Sequence, residues 1–333
     1  MTLPFTPRYF DPRSLPGATT DADGSVTVAL PGNQQYVYSL ETLLAVNAAL
    51  ATQRPLLVAG SPGTGKTSLA GHVAAVLGRR YDELVITSRT RARDLMWRYD
   101  PLQRLAAAHQ GAALPSRAEL VEPQLLWWAF DAASAARRGL PAAQAAGRPL
   151  LRDPARGGPG SQRVVLLDEI DKAEPDVPND LLEVLDKECF HVDDLDGRPL
   201  VQGRRADVLV VITTNREREL PGAFVRRCVV LDLDRAESDW EAWLVRVANQ
   251  RYGMRGARLH KAVAALVMQQ RRDAEAQGLR KPGTAEYLDT VVACRQLKIG
   301  PASSAWQQLA QALLGKARAS SAAGSGLFGD TRA

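Results

Sequence analysis

Nine consecutive residues, Gly60-Ser61-Pro62-Gly63-Thr64-Gly65-Lys66-Thr67-Ser68, carry the spacing G-x-x-x-x-G-K-T. A loop of this kind holds phosphate. Its glycines let the backbone curl until successive N–H groups point inward at oxygens, where side chains would block the approach. A lysine there reaches the β- and γ-phosphates, and the threonine hydroxyl is a ligand for Mg²⁺. The flanking elements are the ones this chemistry needs. Leu56-Leu57-Val58-Ala59 reads as a strand entering the loop, and Leu69 to Leu77 as a helix leaving it. A helix that begins in the loop adds the positive end of its dipole. The sequence therefore predicts a nucleotide site, with Lys66 on the phosphates and Thr67 on the metal.

Two more apolar runs end in groups that suit such a site. Arg163-Val164-Val165-Leu166-Leu167 leads into Asp168-Glu169. Asp168, at a strand's C-terminal end, is placed to hold the Mg²⁺ water shell opposite Thr67. Glu169 can then polarise a water for attack on the γ-phosphate. Val208 to Thr214 is followed by Asn215, an amide able to orient that water together with Glu169. Arg226 and Arg227 precede the last apolar run, Cys228 to Leu233. Paired arginines are usually surface charges. Here the chain offers no other obvious arginine for its own γ-phosphate, so one donated by a neighbouring subunit would neutralise transition-state charge.

The elements that must position these residues form an α/β fold. Five strands are expected, at 56–59, 84–87, 163–171, 208–214 and 228–233, the third apolar until its closing acids as in a parallel sheet covered by helices. Ser39 can cap a helix carrying Leu40, Leu43, Leu44 and Ala48 at helical spacing. Tyr36 to Tyr38, just before it, are candidate adenine contacts or core residues. Residues 1–38 read as an N-terminal arm, laid over the main domain or partly disordered, with one short strand at Val26–Leu30. Asp168 follows Lys66 by 102 positions. Two strand–helix units need only about 60, so roughly 40 residues form an insertion within about 88–160. It opens with a basic, Trp-containing stretch and continues through Ala-rich helix at 125–138 and a Pro/Gly/Arg loop at 147–160. A helix is expected at 179–188, then a hairpin at 190–205 turning at Asp196-Gly197. From residue 235 to 318 helical spacing takes over, including a helix capped by Thr284 and another at 302–318. Residues 319–333 read as a mobile tail.

Composition narrows the class. The 333 residues are 45% hydrophobic and 24% charged, with net charge +5 and pI about 9.2. This is globular composition, with the basic excess spread over surface. Cys189, Cys228 and Cys294 are isolated and read as free thiols in a reducing compartment. The N-terminus lacks a signal-peptide pattern, and no apolar run approaches the ~18 residues of a membrane span. A cytoplasmic location is expected.

The order of these features resembles an AAA+ ATPase, a P-loop NTPase fold with a five-stranded parallel sheet between helices and a small C-terminal helical lid domain. More narrowly, the chain resembles the MoxR-like branch of the helix-2-insert clade. The resemblance rests on the 60–67 loop, Thr90 with Asp94-Leu95, and Leu166 to Ala173. It continues through Leu181 to Leu185, Thr213-Thr214-Asn215 and Leu220 to Cys228. It implies an α/β nucleotide-binding domain at 39–234 and ATP with Mg²⁺ as cofactors. Lys66 and Thr67 would be Walker A, Asp168 and Glu169 Walker B, Asn215 sensor 1, and Arg226 or Arg227 the arginine finger of a hexameric ring. The insert and the 190–205 hairpin would face the pore or client. At sensor 2 an arginine usually follows the proline, but here Pro282 is followed by Gly283. Arg280 or Lys281 would reach the γ-phosphate instead, or lid coupling would be weaker. The implied function is ATP-driven remodelling or maturation of a protein client, often with a von Willebrand factor A domain partner. The alternatives are a nucleic-acid motor or restriction-type NTPase, and a nucleotide switch with little turnover. No nucleic-acid-binding module or aromatic ladder is visible, so nucleic acid is not expected to be obligatory.

Overall fold

The computed structural model describes residues 5–21, 23–30, 34–111, 113–204 and 206–314. The expected tail at 319–333 and the end of the last helix, 315–318, lie outside these residues. The chain packs as two compact units. One comprises residues up to Gly60 together with Lys66–Asp232; the other joins Ser61–Gly65 to the chain from Leu233 onward.

The first unit is built on a six-stranded sheet. Its order is Val229–Asp232, Leu56–Ala59, Val208–Thr214, Arg163–Asp168, Arg80–Val85 and Arg156–Gly157. The first five strands are parallel, and the two-residue sixth is antiparallel. This is the expected α/β architecture, a mostly parallel sheet in one unit with helices following it in the chain. The inner strands are buried at every position, which is why they read as unbroken apolar runs. Strand Arg80–Val85 departs from the expected 84–87. It has only one buried residue, Asp82, so no apolar run marks it; Val85 is exposed and Ile86 lies beyond the strand.

Near the N-terminus, the segment read as an arm contains a three-stranded antiparallel sheet of Thr19–Thr20, Val26–Leu30 and Gln34–Tyr38. Ser39 then caps the helix Leu40–Thr52, its Oγ accepting the Thr42 N–H. Tyr38 is fully buried, with its hydroxyl 2.6 Å from His72 Nδ1. It is a core residue.

The insertion shares the sheet's core. Trp97, Trp127, Phe130 and Phe190 join Leu57, Ile86 and Leu167 in one buried cluster. Trp97 stacks on Phe190 of the strand Cys189–His191, and its indole N–H donates to Asp194 at 2.7 Å. Cys189–His191 pairs with Leu200–Gln202, forming the expected hairpin, which is thereby fastened to the insertion.

One buried ionic cluster anchors the 147–160 loop. Arg163 opens its strand almost wholly buried and donates to Asp82 at 2.9 Å and to both oxygens of Asp153. Burial pushes the Asp82 carboxyl upward even beside this guanidinium. Asp153, where burial pushes up but the Arg163 hydrogen bond and its other donors outweigh it, is held below the ordinary range. Arg163→Met leaves buried Asp82 without its cation and half-buried Asp153 with Arg80 alone, so a loss of about 3–5 kcal/mol is expected, read from urea unfolding. A loss below about 1 kcal/mol would show that the cluster is dispensable.

Among the described residues the second unit holds four longer helices, Glu237–Tyr252, Ala257–Ala276, Thr284–Gln296 and Trp306–Leu314. Trp240, Leu244, Val263, Val267, Tyr287 and Val291 form its core. The cap of the third helix is Gly283 rather than Thr284, because the Glu286 carboxylate turns back to accept the Gly283 N–H at 3.0 Å. All three cysteines are free; burial pushes the Cys228 thiol up to about 12. Among the described residues no helix is long and apolar enough to cross a membrane.

Candidate nucleotide site

Parallel register places the chemistry in one row. Ile212 is level with Leu57 and with Leu167 in its two neighbours, so Thr213, Val58 and Asp168 follow side by side. The loop leaves this row at Gly60, whose N–H donates to the Thr214 carbonyl at 3.3 Å. The sheet order reverses beside the Leu56–Ala59 strand, the position at which open α/β sheets bind ligands beyond their strand ends.

Gly63 and Gly65 have φ of +82° and +96°, conformations that side chains resist. Lys66 begins the helix Lys66–Val76, is buried, and donates from Nζ to the Gly60 carbonyl at 2.7 Å. Thr67 Oγ1 lies 2.9 and 3.2 Å from the two oxygens of Asp168. Ser68 is exposed on the first turn, and the Thr64 hydroxyl closes on the Ser61 carbonyl at 2.9 Å.

Glu169 sits at φ +63°, left-handed for a residue with a side chain. Such strain costs about 1–3 kcal/mol and is held by surrounding bonds. Here the Glu169 N–H donates to Thr213 Oγ1 at 2.8 Å, and the Thr213 hydroxyl donates to Asp168. The Glu169 carboxylate accepts from Asn215 Nδ2 at 3.2 Å and from Lys172 Nζ at 2.5 Å. Lys172 above all, with Asn215 and the charge of Lys66, holds the Glu169 carboxyl below the ordinary glutamate range against the opposing effect of burial. Buried Asp171 accepts the N–H groups of Asn215 and Glu217, fixing the turn that presents the Asn215 amide.

Thus Lys66, Thr67, Asp168, Glu169 and Asn215 lie at or beyond the C-terminal ends of three neighbouring strands. Thr213, Asp171 and Lys172 were missed as parts of this cluster. They lie within segments that carry the resemblance, but residue type alone gave none of them a role in the site.

The arginines separate. The helix Gly222–Arg227 ends with its last carbonyls held by Arg54, which donates to Arg226 and, at 3.0 Å, to Arg227. The Arg227 guanidinium is engaged by Asp186 at 2.5 Å, whereas Arg226 is exposed and makes no ion pair among the described residues. In the helical unit, Arg280 pairs with Glu286 at 2.7 Å, and Lys281 with Glu237 and Glu275 at 3.0 and 2.8 Å. Both cations are thus committed to carboxylates of their own unit.

Comparison with known families agrees with this geometry. Residues 55–228, more than half of the chain, match the AAA domain of the dynein-related subfamily. The chain belongs to that family. As an AAA+ ATPase family member it carries a nucleotide-binding, ATP-hydrolysing fold, and the matched segment runs from the strand before the loop to Cys228. No curated protein matches. Among solved structures it is similar to a protein of Cytophaga hutchinsonii ATCC 33406 named a "putative ATPase", at 17% identity. That alignment covers 83% of this chain and 80% of the other, with a TM-score of 0.35.

The donors at Thr67 and Asp168, a hydroxyl and a carboxylate 2.9 Å apart, are hard oxygens that suit Mg²⁺. No group of three or more His, Cys, Asp or Glu side chains among the described residues forms a metal cage by itself.

Proposed function

We propose that the chain is a MoxR-like, Mg²⁺-dependent ATPase that acts in the cytoplasm as a homohexameric ring to remodel or mature a protein client. The observation that carries the catalytic reading is the Glu169–Asn215 contact one residue beyond the Thr67–Asp168 pair. In this reading Lys66 leaves the Gly60 carbonyl for the β- and γ-phosphates. Thr67 and Asp168 hold Mg²⁺, which when bound would neutralise charge on the phosphate oxygens. Asn215 orients a water that Glu169 deprotonates for in-line attack, and Thr213 keeps Asp168 and the Glu169 backbone in register. A switch with little turnover is disfavoured because base and water-orienting amide are already in contact.

Arg226 is the better candidate for the arginine acting on a neighbour's γ-phosphate, since Arg227 is occupied by Asp186. The insertion and hairpin, joined through Trp97, Phe190 and Asp194, make one block suited to face a client. A von Willebrand factor A domain protein is one partner class for such a ring. Arg280 and Lys281 remain proposed phosphate contacts only if ATP draws them from Glu286, Glu237 and Glu275. The test is phosphate release from ATP by the purified chain. Turnover is expected with Mg²⁺, with loss on EDTA and recovery on added Mg²⁺. Hydrolysis indifferent to EDTA would remove the metal assignment, and absence of both binding and hydrolysis would remove the reading.

A further inference from the structure

The turn before the helix Thr284–Gln296 has a glycine that its backbone does not require. Gly283 has φ −109° and ψ −166°, an extended conformation open to any residue. What it lacks is room. A Cβ there would lie 2.6 Å from the Pro62 carbonyl oxygen and 3.4 Å from Gly63 Cα. From the other side, a Cβ on Gly63 would meet Glu286 Oε2 at 3.3 Å and the Ala285 side chain at 3.6 Å. Beside this contact, the exposed Asp234 accepts the Ser61 N–H at 2.8 Å. Ser61–Gly65 accordingly pack with the helical unit.

The turn is itself fixed. Buried Arg271 donates to the Pro282 carbonyl at 2.7 Å and to both oxygens of Glu237, while lying 4.0 Å over the Trp240 ring. Arg271 first, with help from Lys281, holds the Glu237 carboxyl down at about 2. The surface that meets Pro62 and Gly63 is therefore a rigid one.

We infer that Asp234 and Gly283 are positioning residues of the phosphate loop, setting its tip by direct backbone contact rather than by sending a cation to the nucleotide. An arginine at 283 would displace Pro62. The loop's remaining N–H groups are then oriented before nucleotide arrives, and the entropy lost on binding is smaller. This inference rests on the proposed nucleotide site.

The test is equilibrium binding of ATPγS with Mg²⁺ to the full chain, with thermal melting measured alongside. Gly283→Ser keeps a good helix cap but adds the Cβ. It is expected to raise Kd at least about tenfold with the melting temperature retained, a change equivalent to about 1.4 kcal/mol. Asp234→Ala, at an exposed position, is expected to do the same, whereas Asp234→Asn, which can still accept the Ser61 N–H, should stay within about threefold of wild type. Wild-type affinity in both Gly283→Ser and Asp234→Ala, with Lys66→Ala still failing to bind, would overturn this inference alone. Equal weakening by Asp234→Asn and Asp234→Ala would remove the hydrogen-bond argument. Failure of the wild-type chain to bind, or unchanged binding by Lys66→Ala, would overturn the nucleotide-site reading and this inference with it.

Discussion

Glu169→Gln is expected to bind ATP like the parent chain and to hydrolyse it about 10²–10⁴-fold more slowly. The amide replaces a carboxylate that touches Asn215 and Lys172, so shape and most contacts survive while the proton acceptor is lost. Lys66→Ala is expected to fail earlier, at binding. Its buried ammonium already donates to the loop's own Gly60 carbonyl, and the Lys66–Val76 helix carries no other lysine or arginine to replace it. Together the two variants separate ground-state binding from the chemical step. The measurement is Kd for ATP beside single-turnover hydrolysis. Unimpaired turnover in Glu169→Gln would reassign the base. Under the proposed ring and client, the same variant would hold its partners in the nucleotide-loaded state and serve as bait in a pull-down.

The second large effect is expected between subunits. Arg226→Ala should lower turnover by about 10³–10⁵-fold if this residue supplies transition-state charge in trans. Arg227→Ala should lower it much less directly, because the Arg227 guanidinium already serves Asp186. Lys66→Ala and Arg226→Ala are each inactive alone in this scheme. Mixed in one ring, some interfaces join an intact phosphate loop to an intact arginine, and part of the activity returns. That recovery depends on a heterologous, ring-closing contact. Subunit exchange demonstrated by mass spectrometry without any regained hydrolysis would exclude a shared site. So would full activity of Arg226→Ala as a monomer.

Much of this site was written in contiguous residues. Phosphate is recognised by one short loop, so Gly60 to Ser68 could be read without knowing what surrounds them. The strands at 56–59, 163–168 and 208–214 were equally legible, because strands buried on both faces show as unbroken apolar runs. Where burial was partial, that signal failed. Arg80–Val85 takes its place by pairing with Arg163–Asp168 and not by hydrophobicity, which pointed instead to 84–87. The antiparallel pairing of Val26–Leu30 with Gln34–Tyr38 was likewise hidden in a segment whose composition suggested an arm.

Choices among chemically similar neighbours were decided only in three dimensions. Arg226 and Arg227 are adjacent and identical in type, and Asp186, 41 positions away, distinguishes them. Asp171 and Lys172 look like an extension of the acidic motif until Asn215, Glu217 and Glu169 are seen to use them. Gly283 interrupts an expected pattern, and the Pro62 carbonyl, more than 200 residues earlier, would lie 2.6 Å from a Cβ there. Sequence determined which groups this protein has for binding and cleaving a phosphoanhydride. Tertiary structure decided their partners, since hydrogen bonds and steric contacts depend on distances that chain separation does not encode.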